Sequence, residues 1–228
     1  MKYPILGRER RRPIALSAVG TVLVLAFACV LFTLTVLAIQ PGLLSDTLAA
    51  FREDKLLIPL NIFPVCVVLI VCYCLTGNAF SAAGIGGLIV NLLSYINLVK
   101  TDCRNDPFVP ADCALLREAA NAVGDYQLDL HWGTLAAILL LIAVCFALAY
   151  WSRARKPRWY VRSIMALVVL AVFGASMVKV YPSGDIYDRR GVGTVKVSKS
   201  NVPEVFRLCG FPYCFLHNYN LYPVEKPD

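Results

Sequence analysis

The residues best suited to chemistry in this 228-residue chain fall in one string, Asn97-x-x-Lys100-x-x-x-Arg104-x-x-Pro107-x-x-Pro110-x-Asp112. Lys100 and Arg104 are four apart. If the apolar run before them continues as a helix, they lie one turn apart and present two cations at the level of lipid headgroups. That geometry suits an anionic phosphate. The alternative is an interfacial anchor pair balanced by Asp102, Asp106 and Asp112. Just upstream, Asn91, Ser94 and Asn97 recur every three residues and form a polar face on an otherwise apolar helix. Such a face should point into a helix bundle or a polar cavity, either for interhelical hydrogen bonds or for contact with a substrate or headgroup.

Nothing else in the chain has the makings of a reaction centre. A nucleophile needs a positioned base, and the base needs an orienting partner. The two histidines, His131 and His217, are far apart in sequence. Asp125, Asp129 and His131 read as an interfacial loop at the mouth of a span. His217 lies among Phe211, Tyr213, Phe215, Tyr219 and Tyr222, which suits a packed or interfacial ring. Walker, Rossmann, nucleophile-elbow and HExxH patterns are absent. Cys72-x-Cys74 lacks a second metal-type half. The expectation is a chain with no catalytic residue and no metal-binding residue of its own. Of nine cysteines, Cys29, Cys66, Cys72, Cys74 and Cys145 fall in apolar runs and act as small hydrophobes. Cys103, Cys113, Cys209 and Cys214 lie outside those runs, where a disulfide could form in an arrangement the sequence does not specify.

The elements that must position the string are membrane spans. The chain is 58% hydrophobic and 16% charged, against about 25% charged in a soluble domain. Five apolar runs stand out, at about 14–39, 56–75, 79–99, 132–151 and 163–177, the last extending to Lys179 and Tyr181. The first is too long for a cleaved signal sequence, whose apolar region is about 7–15 residues. Pro64 is tolerable inside a span when neighbours re-satisfy the carbonyl it frees, and the second run should kink near it. The third has Ala82, Ala83, Gly86 and Gly87 at four-residue spacing, a pattern for close helix packing. Between the third and fourth runs, 112–123 should form a short amphipathic helix in the headgroup layer, capped by Asp112 and Gly124. In the tail, 194–197 alternates like a strand, and 202–208 suits a short helix closed by Gly210.

Ten of the 22 Lys and Arg residues fix the threading. Lys2, Arg8, Arg10, Arg11 and Arg12 precede the first run, and Arg153, Arg155, Lys156, Arg158 and Arg162 separate the fourth from the fifth. Clusters of this kind mark cytoplasmic loops. Four spans between them keep both on one side, which places the tail after the fifth span outside. The net charge of +7 is explained by these topology signals, with anionic headgroups as their partners, and not by a nucleic-acid-binding face.

The string at this position resembles the membrane part of the lipoteichoic acid synthase family, sulfatase-fold phosphoglycerol transferases with related phosphoethanolamine transferases. In that family an Asn, Lys, Arg, Pro and Pro-x-Asp succession occupies the loop between spans three and four. Here these are Asn97, Lys100, Arg104, Pro107, Pro110 and Asp112. A Gly often follows the Arg in the family, where this chain has Asn105. Gly210-Phe211, Phe215 and Asn218 resemble the family's linker. The resemblance implies five N-terminal spans with the amino end inside and a long extracytoplasmic domain beyond them. It also implies that a threonine nucleophile and a divalent manganese or magnesium ion belong to that further domain and not to residues 1–228.

The expectations are therefore an all-α, multi-pass protein of a bacterial plasma membrane. It comprises a cytoplasmic basic segment (1–13), a five-helix transmembrane domain (14–181) and an extracytoplasmic juxtamembrane linker (182–228). Its expected function is to anchor a phosphoglycerol or phosphoethanolamine transferase acting in cell-envelope polymer synthesis, with a sulfatase-type catalytic domain as downstream or separate partner. The alternative is a stand-alone, non-enzymatic polytopic protein that binds anionic lipid or a partner protein. A small transporter comes third, because no span carries an acid and no repeat is visible.

Overall fold

The computed structural model describes residues 14–40, 44–115, 130–154, 157–182 and 202–218. Five of its helices are long and apolar enough to cross a membrane: α1 (Ala18–Ala38), α3 (Leu57–Thr76), α4 (Ala79–Arg104), α5 (Trp132–Trp151) and α6 (Trp159–Lys179). Each has at least 20 residues, or about 30 Å at 1.5 Å per residue, the thickness of a bilayer core. This is a multi-pass membrane protein. Among the described residues three shorter α-helices accompany them: α2 (Leu44–Glu53), α7 (Val202–Cys209) and α8 (Phe211–His217).

The spans alternate up and down, so the molecule has two ends. At one, Ile14–Leu16 and Ser152–Ala154 form a three-residue parallel ladder. The first strand follows Arg12 in sequence and the second contains Arg153, so the ladder holds the flanks of both basic clusters at the same end. The caps there come from short polar side chains. Ser17 accepts the Gly20 N–H at 3.1 Å and starts α1. Asn78 Oδ1 accepts the Phe80 and Ser81 N–H groups and starts α4, while its Nδ2 donates to Ser152 Oγ at the end of α5. Gly77, at φ 67, closes α3 in the left-handed conformation.

α4 is the axis of the bundle. Its small residues let three neighbours approach. A Cβ on Gly87 would overlap the Phe32 ring of α1, one on Gly86 would come within 2.8 Å of Leu69 of α3, and one on Gly84 within 3.1 Å of Phe146 of α5. The outer helices are barely covered. α5 buries Ile138 and Ile142, and α6 has no buried residue, although Phe173 meets Phe63 of α3 with ring centroids 6.3 Å apart. Helices apolar on every side can stay so exposed only because lipid surrounds them. α6 starts four residues earlier than expected, at Trp159, so Arg162 sits within its first turns. A helix in hydrocarbon must continue until its backbone reaches the interface, and a long basic side chain there can snorkel outward.

The other end is closed by α2, α7 and α8. α2 was not foreseen, although Asp46 in its first turn, Arg52 in its last, and Leu44, Thr47, Leu48 and Phe51 on one face are an amphipathic signature. Thr47 Oγ1 donates to the Arg207 carbonyl of α7 at 2.8 Å. The helix expected at 202–208 is present as α7. Gly210, at φ 90, turns the chain from α7 into α8. A side chain at Gly210 would collide with Asn61 of α3. Asn61 is fully buried and spans that junction. Its Nδ2 donates to the Leu57 and Cys209 carbonyls, both at 2.8 Å, and its Oδ1 accepts the Tyr213 N–H at 3.2 Å. The segments at 112–123 and 194–197 lie outside the described residues except for a short 3-10 helix at Pro110–Leu115.

Pro64 stands inside a continuous α3. It has no N–H for the Leu60 carbonyl four residues earlier. The Tyr181 hydroxyl, beyond the end of α6, donates to that carbonyl at 2.9 Å. Tyr181 is almost completely buried, and its own carbonyl is held by His217 Nδ1 at 2.6 Å. Tyr181→Phe should cost about 1–3 kcal/mol, the price of an orphaned buried carbonyl. In a Pro64→Ala background the helix supplies its own N–H, and the cost should fall to less than half. Denaturant unfolding of the four purified chains in detergent measures this coupling, and additive costs would contradict the assignment.

Candidate functional site

The site foreseen at the exit of the third span is a folded-back loop. α4 continues past the expected end at Val99 to Arg104, so Asn97, Lys100 and Arg104 are all helical. Asn105 then takes φ 49, the left-handed region, and its N–H bonds the Thr101 carbonyl at 2.8 Å. This C-cap reverses the chain, and residues 106–109 run back along the helix they have just left.

Asn97 and Lys100 hold that return. Asn97 Oδ1 accepts the Phe108 N–H at 2.8 Å. Lys100 Nζ donates to the Pro107 carbonyl at 2.9 Å and pairs with Asp106 at 2.8 Å and Asp112 at 2.7 Å. Asp112 Oδ2 also accepts the Val109 N–H at 2.8 Å. The Lys100 side chain is only 15% exposed. The pinned loop buries Phe108, which stacks on Phe215 of α8 with centroids 5.7 Å apart and planes 15° apart. The 3–4 loop and the tail thus share one aromatic cluster, continued by Phe211 and Phe206.

The placement divides the candidates. Asn97, Lys100 and Asp112 come together, but with each other's polar groups. Arg104 is exposed and takes part in no ion pair among the described residues. Lys100 thus turns onto Asp106, Asp112 and the Pro107 carbonyl, while Arg104 faces outward. Counting Lys100, Arg104, Asp102, Asp106 and Asp112, the side chains carry +2 and −3. Asp102 meets His131 Nε2 at 2.7 Å and ties the end of α4 to the start of α5. Asp125 and Asp129, grouped with His131 in the sequence, lie outside the described residues.

The polar face on α4 is wholly buried. Ser94 Oγ donates to the Val36 carbonyl of α1 at 3.0 Å, an interhelical bond in the bundle. Asn91 Nδ2 returns to the Gly87 carbonyl of its own helix, and its Oδ1 has no partner. No family model, no curated protein and no solved structure matches the chain.

Among the described residues, no three His, Cys, Asp or Glu side chains converge on a point that could hold a metal ion. Cys103 and Cys113 are exposed thiols, whereas Cys209 and Cys214 are buried together at the α7–α8 junction. Burial, and then the neighbouring Cys209, push the Cys214 thiol up from its ordinary value. Sequence reasoning missed Asn61 and Tyr181 as the groups that dock the tail. Asn61 carried a signal, a lone amide in the first turns of an apolar run. Tyr181 carried none beyond its place at a span end.

Lys100→Met should cost about 1–2 kcal/mol, because it strips a charged donor from two carboxylates and a carbonyl, with the solvent exposure of Asp106 reducing the loss. Arg104→Gln should change stability by less than about 0.5 kcal/mol. Thermal unfolding in detergent, with limited proteolysis at 105–115, distinguishes the two. Equal effects would mean that the loop is not held by Lys100.

Proposed function

We propose that this chain is the membrane platform of a lipoteichoic-acid-synthase-like phosphoglycerol or phosphoethanolamine transferase. It anchors and faces lipid, while catalysis belongs to a sulfatase-type domain supplied beyond residue 228 or by a separate chain. The observation that carries the proposal is the cooperation within the 3–4 string. Asn97, Lys100, Pro107 and Asp112, the residues that resemble the family's succession, build one hydrogen-bonded unit. Asn105, which stands where the family often has Gly, adopts a left-handed φ that Gly and Asn share. The string thus has a physical reason to exist as a set, which a chance match would lack.

In this reading the basic clusters lie in the cytoplasm and the α2–α7–α8 end faces outward. The ladder that joins Ile14–Leu16 to Ser152–Ala154 supports that arrangement, since positive flanks belong on one side. The folded tail then serves as a docked stem at the outer surface. Asn61, Gln40 and Tyr181 grip it, so that a domain following it would start from a defined position. Gln40, with its amide oriented to satisfy both contacts, donates to the Phe206 carbonyl at 2.8 Å and accepts the Phe211 N–H at 3.1 Å.

Orientation is tested by thiol labelling. A membrane-impermeant maleimide should modify Cys103 and Cys113 in intact cells, and should reach an Arg158→Cys variant only after permeabilisation. The reverse pattern would invert the topology. The enzymatic part is tested by the DNA downstream of codon 228 and its neighbouring frames. A frame encoding a threonine nucleophile with acidic and histidine metal ligands is expected. The purified chain alone should release no diacylglycerol from phosphatidylglycerol. Turnover by the chain alone, or no such frame, would sink the proposal.

A further inference from the structure

A groove of about 430 Å³ runs down the outside of the bundle between α1 and α3, beneath α2. Thr33 and Leu37 of α1 and Phe51 of α2, all buried, form its floor. Val30 and Leu34 of α1, Leu48 of α2, and Ile58 and Ile62 of α3 form its sides. From Leu37 to Val30 it descends about 10 Å along α1. Its walls are apolar and it is open to the side, where lipid lies. At its upper rim stand Arg52 and Lys55, both exposed. Neither takes part in an ion pair among the described residues. Glu53 and Asp54 stand between them in sequence; neither forms an ion pair with Arg52 or Lys55 among the described residues, and the Asp54 carboxylate accepts the Leu56 N–H at 3.1 Å.

We propose that this groove binds one anionic glycerophospholipid from the leaflet at the α2 end, with an acyl chain between α1 and α3 and the phosphate held by Arg52 and Lys55. The occupant is chosen by charge and shape together. A second copy of the chain or another apolar helix would fill the groove but leave two unpaired cations at its rim. A soluble phosphate would satisfy the cations but leave the groove uncovered. An anionic lipid does both: its tail meets a dry surface and its headgroup meets an ammonium and a guanidinium at the interface, where the local dielectric strengthens the contact. The contrast with the α4 exit supports the choice. Lys100 is neutralised by Asp106 and Asp112, whereas Arg52 and Lys55 pair with no acid among the described residues. α2 supplies both the groove's cover and its cation, so an otherwise unexplained amphipathic helix acquires a role. The proposal rests on the membrane-spanning fold alone and stands whether or not a catalytic domain accompanies the chain.

The test uses the full chain in mixed bilayers of phosphatidylcholine with a minority of phosphatidylglycerol of matched acyl chains, followed by native mass spectrometry of the released protein. A retained phosphatidylglycerol in preference to phosphatidylcholine is expected for the wild type. Arg52→Gln with Lys55→Gln should lower that retention by about tenfold, the loss expected for a charged hydrogen bond. Val30→Trp with Ile58→Trp, at exposed positions that fill the groove, should lower it as far. Lys179→Gln, an exposed cation at the end of α6, should not change it. Soluble glycerol phosphate should not compete. Equal retention of both lipids by the wild type, unchanged retention in the double glutamine variant, effective competition by glycerol phosphate, or a lipid-free dimer would each overturn the proposal. The wild-type preference is read without any variant, so a variant that fails to fold leaves the test intact.

Discussion

A bilayer offers no hydrogen bonds, so each polar group that enters it must find a partner in the protein. The most demanding case is the Leu60 carbonyl, which Pro64 deprives of its helical donor. The Tyr181 hydroxyl supplies that donor from just beyond the end of α6. The consequence spreads outward. Tyr181 must stay at the end of α6 and against α3, and its carbonyl then positions His217. Asn61, one residue after Leu60, links the same turn of α3 to the α7–α8 junction. The tail is therefore not a loose extension of the fifth span. It is held by the groups that make a proline in the second span tolerable.

The same constraint accounts for the side chains inside the helices. Thr33, Thr76 and Thr101 each return their hydroxyl to a carbonyl of their own helix, as the lack of water requires. Ser94 instead crosses to α1, where the glycine at 87 has brought Phe32 and its helix close. Small residues and polar residues on α4 thus work together. The first permit the backbones to approach, and the second convert the approach into a directional bond.

At the α4 exit the balance is electrostatic. A lysine four residues before an arginine reads as a basic pair, but the left-handed turn at Asn105 brings two aspartates and a carbonyl onto Lys100. The ammonium is spent on shaping the loop, and the loop in turn seats Phe108 on Phe215 of the tail. Arg52 and Lys55, which pair with no acid among the described residues, lie on and just after the amphipathic helix between the first two spans. The two ends of the molecule consequently differ: one gathers the flanks of the basic clusters, and the other is a carboxylate-balanced surface with a cationic, apolar groove beside it.

The sequence by itself determined the five spans, their alternation and the close-packing stripe on α4. These depend on local quantities: run length, hydropathy and the positions of Gly, Pro and charge. It also announced that Asn91, Ser94 and Asn97 share a face, because helical spacing follows from backbone geometry. Which partner each of them meets was decided only by tertiary structure. Ser94 finds Val36 some 58 residues away, Tyr181 finds Leu60 at 121, and Asn61 finds Cys209 at 148. Separations of that kind leave no periodic trace. Likewise Lys100 and Arg52 are both interfacial cations in the sequence. One is buried in carboxylates and the other pairs with no acid among the described residues, because a turn folds acids back onto the first, while the second faces a groove between two helices.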